Sequence, residues 1–290
     1  MYRSVFKPGL FEGQLVVVTG GGSGIGRCVA HELAALGAAV ALVGRNEDKL
    51  TAVRAEIAAA GGRASTHVCN IRDEAAVQAL VARLVAEQGA IAGLVNNAGG
   101  QFPSPLKDIS QKGWEAVVQT NLTGGFLMAR ECLNQGMANS GGAIVNIVAD
   151  MWGGMPGMGH SGAARAGMVS FTETAAFEWA QYGVRVNAVA PGYIASSGMD
   201  QYPPAMRDTI LAFPGTVPLQ RFGTEAEISA AIVFLLSPAA AFITGTTLRV
   251  DGGRPNVRPG MPMVKPARPP EAFNGFHLAA TPRVLGDGDA

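Results

Sequence analysis

Leu15–Gly26 reads LVVVTGGGSGIG, an apolar strand that runs straight into a glycine-rich turn and then a helix. Ile25, Val29, Leu33 and Leu36 fall on one helical face, and a second apolar run, Ala38–Val43, follows. The three pieces make a βαβ unit of roughly 30 residues. Gly20, Gly24 and Gly26 stand where a tight turn, a close backbone approach to a pyrophosphate and helix packing each require a missing Cβ. With Ser23 and Ile25 opening the helix, this is a nucleotide cradle at a helix N-terminus, in preference to a plain structural turn.

Outward from that unit the alternation continues. Leu50, Val53 and Ile57 mark a helix, Ser65–Val68 a strand, Val77, Leu80, Val81, Leu84 and Val85 a helix, and Ile91–Val95 a fourth strand. A long helix from about Lys112 to Gln135 leads to the strand Ala143–Val148, and a helix carrying Met168, Phe171, Ala175 and Trp179 ends near Gln181. Val184–Val189, a helix around Ile228–Leu236 and Thr246–Val250 complete the series. The expectation is an α/β, Rossmann-type doubly wound, seven-stranded parallel sheet in a single domain spanning residues 1–253. Residues 193–223, with Pro203, Pro204, Pro214 and Pro218, form a lid-length connection. Residues 254–290 hold seven of the 17 prolines and five basic residues without apolar periodicity, which suggests an extended arm packed on the body or a neighbour.

The totals exclude several function classes. Formal charge is zero, so no nucleic acid or anionic membrane partner is expected. Cys28, Cys69 and Cys132 are widely spaced and unpaired in pattern, which speaks against a disulfide framework or a metal site and for buried thiols in a reducing compartment. Neither a signal peptide, a transmembrane span nor a peroxisomal address is evident, so the expected location is cytoplasmic.

The break after the fifth strand concentrates polar groups where open α/β sheets bind ligands. Asp150, His160, Ser161 and Arg165 lie between Val148 and Met168. Asn121 sits inside the long helix, at a cost in helix propensity that favours a site role. At the end of the second strand, where an NAD site carries an acid for the ribose 2′-hydroxyl, this chain has Gly44 and Arg45, a guanidinium suited to the 2′-phosphate of NADPH. Met151, Met155, Met158, Met199 and Met206 surround the break and the lid, and suit an acyl tunnel as well as ordinary gap-filling. The small face Ala166, Gly167, Ser170 and Thr174 suits helix pairing in a homo-oligomer, dimer or tetramer.

Thr19–Gly26, Asn96-Asn97-Ala98-Gly99, Asn121, Asn146 and Pro191-Gly192 together resemble the short-chain dehydrogenase/reductase family from about Leu10 to Gly253. The resemblance implies that Asn96, Asn97, Ala98 and Gly99 support the cofactor-binding sheet. It further places Asn70 and Ile71 near adenine, with Pro191, Gly192, Ile194 and Ser196 beside the nicotinamide. Members of that family usually carry a serine after the fifth strand and a Tyr-x-x-x-Lys on the next helix. Here the positions read Val148 or Ala149, Ser161 and Arg165.

That departure changes the chemistry available. Ketone reduction makes an alkoxide that needs a proton, usually from a tyrosine acidified by a nearby ammonium. An unassisted serine is a far poorer acid, and arginine does not deprotonate. Reduction of an alkene conjugated to a thioester needs donors for an enolate oxygen, with the proton ending on carbon. Cys69–Arg72, Gly99–Phe102, Lys112–Trp114, Thr120–Gly124, His160–Gly167, Phe242–Gly245 and Asp251–Arg254 resemble the peroxisomal trans-2-enoyl-CoA reductase subfamily, whose members reduce enoyl-CoA thioesters with NADPH. The resemblance implies an acyl-CoA substrate, Arg165 on the nicotinamide ribose, Ser161 on the thioester oxygen and Asn121 ordering a water, although a serine at a helix start also suits an N-cap. Asp150 would be an acid or a solvated loop carboxylate, tail arginines would meet CoA phosphates or form a solvated basic arm, and His160 would serve packing or a proton relay. A 2,4-dienoyl-CoA reductase, another short-chain reductase and a catalytically silent NADPH-binding protein are the alternatives.

Overall fold

A computed structural model describes residues 1–258 and 260–286, so the expectations that touch Pro259 and residues 287–290 of the arm lie outside the described residues. Nine strands occur among them: β1 (Leu15–Thr19), β2 (Ala39–Gly44), β3 (Arg63–Val68), β4 (Ile91–Asn96), β5 (Gly142–Ile147), β6 (Val184–Pro191), β7 (Ile194–Ala195), β8 (Gly223–Thr224) and β9 (Thr247–Val250). The seven strands read from the sequence form one parallel sheet in the order β3-β2-β1-β4-β5-β6-β9. This is the Rossmann-type α/β fold. The order reverses between β1 and β4, which opens a crevice at their carboxyl ends.

The remaining pair, β7 and β8, corrects the picture of residues 193–223 as a loop. Ile194 pairs with Gly223 and Ala195 with Thr224, so the two ends of the lid are tied together. Between them run 3-10 turns and the helix α8 (Arg207–Ala212), once the other helices are set out in chain order: α1 (Gly24–Ala35), α2 (Glu47–Ala59), α3 (Glu74–Gln88), α4 (Gln111–Val118), α5 (Gly124–Cys132), α6 (Ala138–Ser140), α7 (Gly159–Trp179) and, after the lid, α9 (Glu225–Leu236). Start signals explain several boundaries. Asn46, Asp73 and Ser110 accept from the backbone N–H groups of Lys49, Ala76 and Gly113, each worth about 1 kcal/mol. Thr224 and Glu227 form a capping box that begins α9 three residues before its apolar run.

Alternation along each strand divides the core. Val16 and Val18 of β1 face the layer of α1, α2 and α9, whereas Leu15 and Val17 face that of α3, α5 and α7. A sheet covered on both sides accounts for the nearly unbroken apolar strands. β3 is the exception: it starts at Arg63, earlier than the run Ser65–Val68, because an edge strand tolerates exposed residues.

The expected continuous helix from Lys112 to Gln135 is interrupted twice by π turns, at Gln119–Thr123 and Leu133–Met137. The first interruption has a visible cause. Buried Asn121 gives its side-chain amide to Gly100, accepting from its N–H at 2.9 Å and donating to its C=O at 2.9 Å, and the extra residue in the turn accommodates that bond. The tail folds back over the body: Phe276 is buried against His31 and Tyr2, and Thr224 Oγ1 donates to the carbonyl of Phe273. Among the described residues no helix is long and apolar enough to cross a membrane, and no group of three or more His, Cys, Asp or Glu side chains is placed to hold a metal. The three cysteines are buried and free.

Candidate active site

At the carboxyl ends of β1 and β4 the chain forms a cleft of about 840 Å³. Its floor is the glycine turn. Gly20 and Gly24 have φ of +67° and +56°, and a Cβ on Gly26 would lie 2.5 Å from Asn97 Nδ2. Asn97 in turn holds the turn by donating to the Thr19 carbonyl at 3.0 Å, while Thr19 Oγ1 accepts from the N–H groups of Asn97 and Ala98 at 3.0 Å. At the start of α1, Ser23 is exposed and its hydroxyl makes no capping bond, and the first turn carries no acid. Free N–H groups, a free hydroxyl and a first helical turn without an acid suit a diphosphate.

The other nucleotide-side residues read from the sequence border the same cleft: exposed Arg45, Asn70, Ile71, Ala98 and Gly99, then Gly192, Ile194 and Ser196 after Pro191 closes β6. Asn70 Oδ1 accepts from Arg72 Nε at 3.2 Å. Behind them, Asn96 and Asn146, paired across β4 and β5, form a buried polar ladder. Asn96 donates to Asn146 Oδ1 at 2.9 Å, and Asn146 donates to Thr172 Oγ1 at 2.9 Å, which fixes α7 to the sheet.

Arg165 crosses from α7 to the end of β5. Its Nη1 donates to the Ile147 carbonyl at 2.6 Å, and Nη2 approaches so closely that a Cβ on Gly99 would stand 2.6 Å away. Nε is sealed from solvent without a partner. Lost hydration lowers the guanidinium pKa to about 10, which still leaves a fixed cation at neutral pH. Four of the five flanking methionines, Met155, Met158, Met199 and Met206, border the cleft.

Ser161 is buried in the first turn of α7. The N-cap of α7 is Met158, so Ser161 does not cap the helix. Its hydroxyl is buried and donates to Gln101 Oε1 at 2.6 Å, an acceptor that takes the one proton the serine has. Gln101 Nε2 donates at 2.9 Å to the hydroxyl of Tyr202 on the lid. His160 is also buried; Nδ1 accepts from the Ser161 N–H at 2.9 Å and the ring meets Phe102 edge-on at 4.4 Å.

Asp150 is neither a solvated loop carboxylate nor an unpaired acid. Its Oδ2 pairs with Arg254 Nη1 at 2.9 Å, and Oδ1 is sealed without a partner. Arg254 is thereby engaged at the cleft, and its guanidinium covers the Tyr193 ring at 5.0 Å. Tyr193 stacks on Phe213 with centroids 3.9 Å apart, so the lid, the break and the start of the tail meet in one contact series. Asn121, expected to order a water, has both ends of its amide on Gly100.

Tyr202 and Tyr193 were not singled out by the sequence, and Gln101 and Arg254 entered only as members of longer motifs. One local signal was present: in Tyr202-Pro203-Pro204 the prolines restrict the preceding residue to extended backbone, and Tyr202 has φ −76° and ψ 149°.

The model of a family described as enoyl-(acyl carrier protein) reductase matches residues 20–254. A probable 2,4-dienoyl-CoA reductase of Bacillus subtilis (strain 168) is 36% identical over 249 residues, covering 84% of this chain and 97% of its own. A 3-oxoacyl-[acyl-carrier-protein] reductase of Synechocystis sp. (strain ATCC 27184 / PCC 6803 / Kazusa) is 40% identical, covering 83% and 96%. Among solved structures, the citronellol catabolism dehydrogenase AtuB of Pseudomonas aeruginosa PAO1 is 61% identical over 87% of this chain and 99% of its own, with a TM-score of 0.79. The chain belongs to the short-chain dehydrogenase/reductase family and is an oxidoreductase of that kind.

Proposed function

We propose that the protein reduces the 2,3 double bond of enoyl-CoA thioesters with NADPH. One observation carries the reading: helix α7 offers Ser161 and a buried Arg165 where a carbonyl reductase of this family needs a tyrosine and a lysine. The cleft fits a nicotinamide dinucleotide, because a Cβ on Gly20, Gly21 or Gly26 would meet neighbouring atoms within 3.0 Å and Arg165, at the Gly99 end of the same cleft, keeps Nε as an orphaned donor. The choice of NADPH rests on Arg45 at the end of β2, with no acid to repel a 2′-phosphate.

When bound, the reduced dinucleotide supplies a hydride to the β carbon of the alkene. The chain's own tasks are then electrostatic. Arg165 holds the ribose hydroxyls and keeps a positive charge near the reacting end, the turn at Gly20–Gly26 binds the diphosphate, and the methionine-bordered side of the cleft takes the acyl chain. Ser161, by donating to Gln101, fixes the amide that faces the thioester. Proton delivery to carbon follows hydride addition, so no acidified hydroxyl beside Arg165 is required. The exposed face of α7, with Phe177 87% exposed, supports self-association into a homo-oligomer.

Relatives named for thioester substrates support the substrate class, and the dehydrogenase of citronellol catabolism recommends branched acyl chains among the substrates to try. The test is steady-state NADPH oxidation with 2-enoyl-, 2,4-dienoyl- and 3-oxoacyl-CoA panels. Highest kcat/KM on a 2-enoyl thioester is expected, and highest kcat/KM on a 3-oxoacyl thioester would overturn it. The name of the Bacillus relative favours the dienoyl panel as the second reading.

A further inference from the structure

We propose that Tyr202 is the proton donor to the α carbon and that Gln101 is the donor to the enolate oxygen, with Ser161 positioning them. The inference rests on the reading of the site as a thioester alkene reductase. It follows from the direction of two hydrogen bonds. Ser161 gives its only proton to Gln101 Oε1 at 2.6 Å, which orients the amide so that Nε2 faces the lid. One N–H of Nε2 goes to the Tyr202 oxygen at 2.9 Å. The second N–H of Nε2 and the phenolic proton of Tyr202 are then the unused donors, about 3 Å apart, in the cleft that Arg165 also borders.

An enolate derived from a thioester needs those two services at neighbouring positions. Its oxygen accepts hydrogen bonds while negative charge develops, and its α carbon, two bonds away, takes a proton. Hydride forms the new C–H bond at the β carbon as the C=C bond is lost, the dinucleotide is oxidised, and the electron pair moves to the enolate. The α carbon then takes the phenolic proton, and the phenolate is reprotonated from water, so one hydride and one proton enter per turnover. Tyr202 is held for this by the prolines that follow it, while α8 and the β7–β8 pairing anchor the lid on either side.

The experiment compares full-length wild type with Tyr202→Phe, Gln101→Leu and Ser161→Ala, on a 2-methyl-2-enoyl-CoA whose α carbon becomes a stereocentre. Tyr202→Phe is expected to lower kcat about 30- to 100-fold, with the NADPH Kd and thioester KM within threefold of wild type. Its product should pass from one α configuration to a mixture, because solvent then protonates either face. Gln101→Leu should also lower kcat but keep one configuration, and Ser161→Ala should fall between wild type and Gln101→Leu. A single configuration retained by Tyr202→Phe, or a kcat within threefold, overturns the proposal.

A second readout separates this proposal from the assigned reaction. With 3-fluorotyrosine at position 202, the fluorine resonance should shift when saturated acyl-CoA joins the NADP-bound enzyme, even if no alkene is turned over. A wild type that reduces only 3-oxoacyl thioesters, yet shows that shift, sinks the alkene reading and keeps Tyr202 at the substrate. An unmoved resonance removes Tyr202 from the site whatever the reaction.

Discussion

The dinucleotide side and the substrate side of the cleft are built by different means. On the dinucleotide side, the turn Gly20–Gly26 and its support from Thr19 and Asn97 use backbone groups and missing side chains, supplied by β1, β4 and the residues just after them. On the substrate side, Gln101, Ser161, Tyr202 and Arg254 come from four separate segments; the first three are joined by side-chain hydrogen bonds, and Arg254 is held by Asp150. A backbone cradle is intolerant of added atoms. A side-chain relay tolerates substitution sterically and fails through lost hydrogen bonds or charge.

The contrast breaks first, and hardest, at Gly26. Gly26→Ala places a methyl 2.5 Å from Asn97 Nδ2, and NADPH affinity by fluorescence titration should fall more than about 100-fold (roughly 3 kcal/mol). Near-normal affinity would mean that the cradle is not backbone-built. Arg165→Met should cost about 50-fold in kcat/KM (~2.3 kcal/mol), because the cation at the end of β5 is lost while the methionine stem still fills the space. A comparable rate would deny Arg165 any part in the site.

Glu225 sharpens the comparison by adding a titrating group to the dinucleotide side. Its carboxylate lies at the start of α9, with Oε1 3.9 Å from the position a Cβ on Gly24 would take. Burial raises its pKa to about 7 from a usual 4.5, so the ionised form is penalised in the folded state. The stabilising protonated form is fully present below about pH 4.5 and is lost as pH rises through 7. Glu225→Gln should therefore shrink the loss of stability between pH 5 and pH 8 by about 2 kcal/mol, read from urea unfolding at both values. An unchanged pH dependence would show that Glu225 ionises freely. The smallest effect is expected at Arg254→Ala, which frees Asp150 and uncovers Tyr193. It should raise thioester KM about three- to fivefold (~0.6–1 kcal/mol) while leaving NADPH affinity unchanged, and a change in both would join the two sides of the cleft.

The same contrast explains what could be read from the chain. The parallel sheet was legible because strands covered on both faces are uninterrupted apolar runs, and the cradle was legible because its residues are contiguous. The π turn at Asn121 was not, since its cause is the backbone of Gly100, 21 residues earlier. Ser161 was legible as a site residue but its hydrogen bond to Gln101 was not, because Gln101 and Tyr202 are 60 and 41 residues away and meet it only through the fold. Asp150 was taken for an acid or a solvated carboxylate for the same reason: its partner Arg254 stands 104 residues on. Polar groups satisfied by distant side chains leave no local pattern.

The most direct test of the central claim is a competition. Wild-type protein is given NADPH with equimolar 2-enoyl-CoA and 3-oxoacyl-CoA of one chain length, and the products are separated by mass. The account predicts saturated acyl-CoA in at least about a 100-fold excess over 3-hydroxyacyl-CoA, whereas predominant 3-hydroxyacyl-CoA would contradict it.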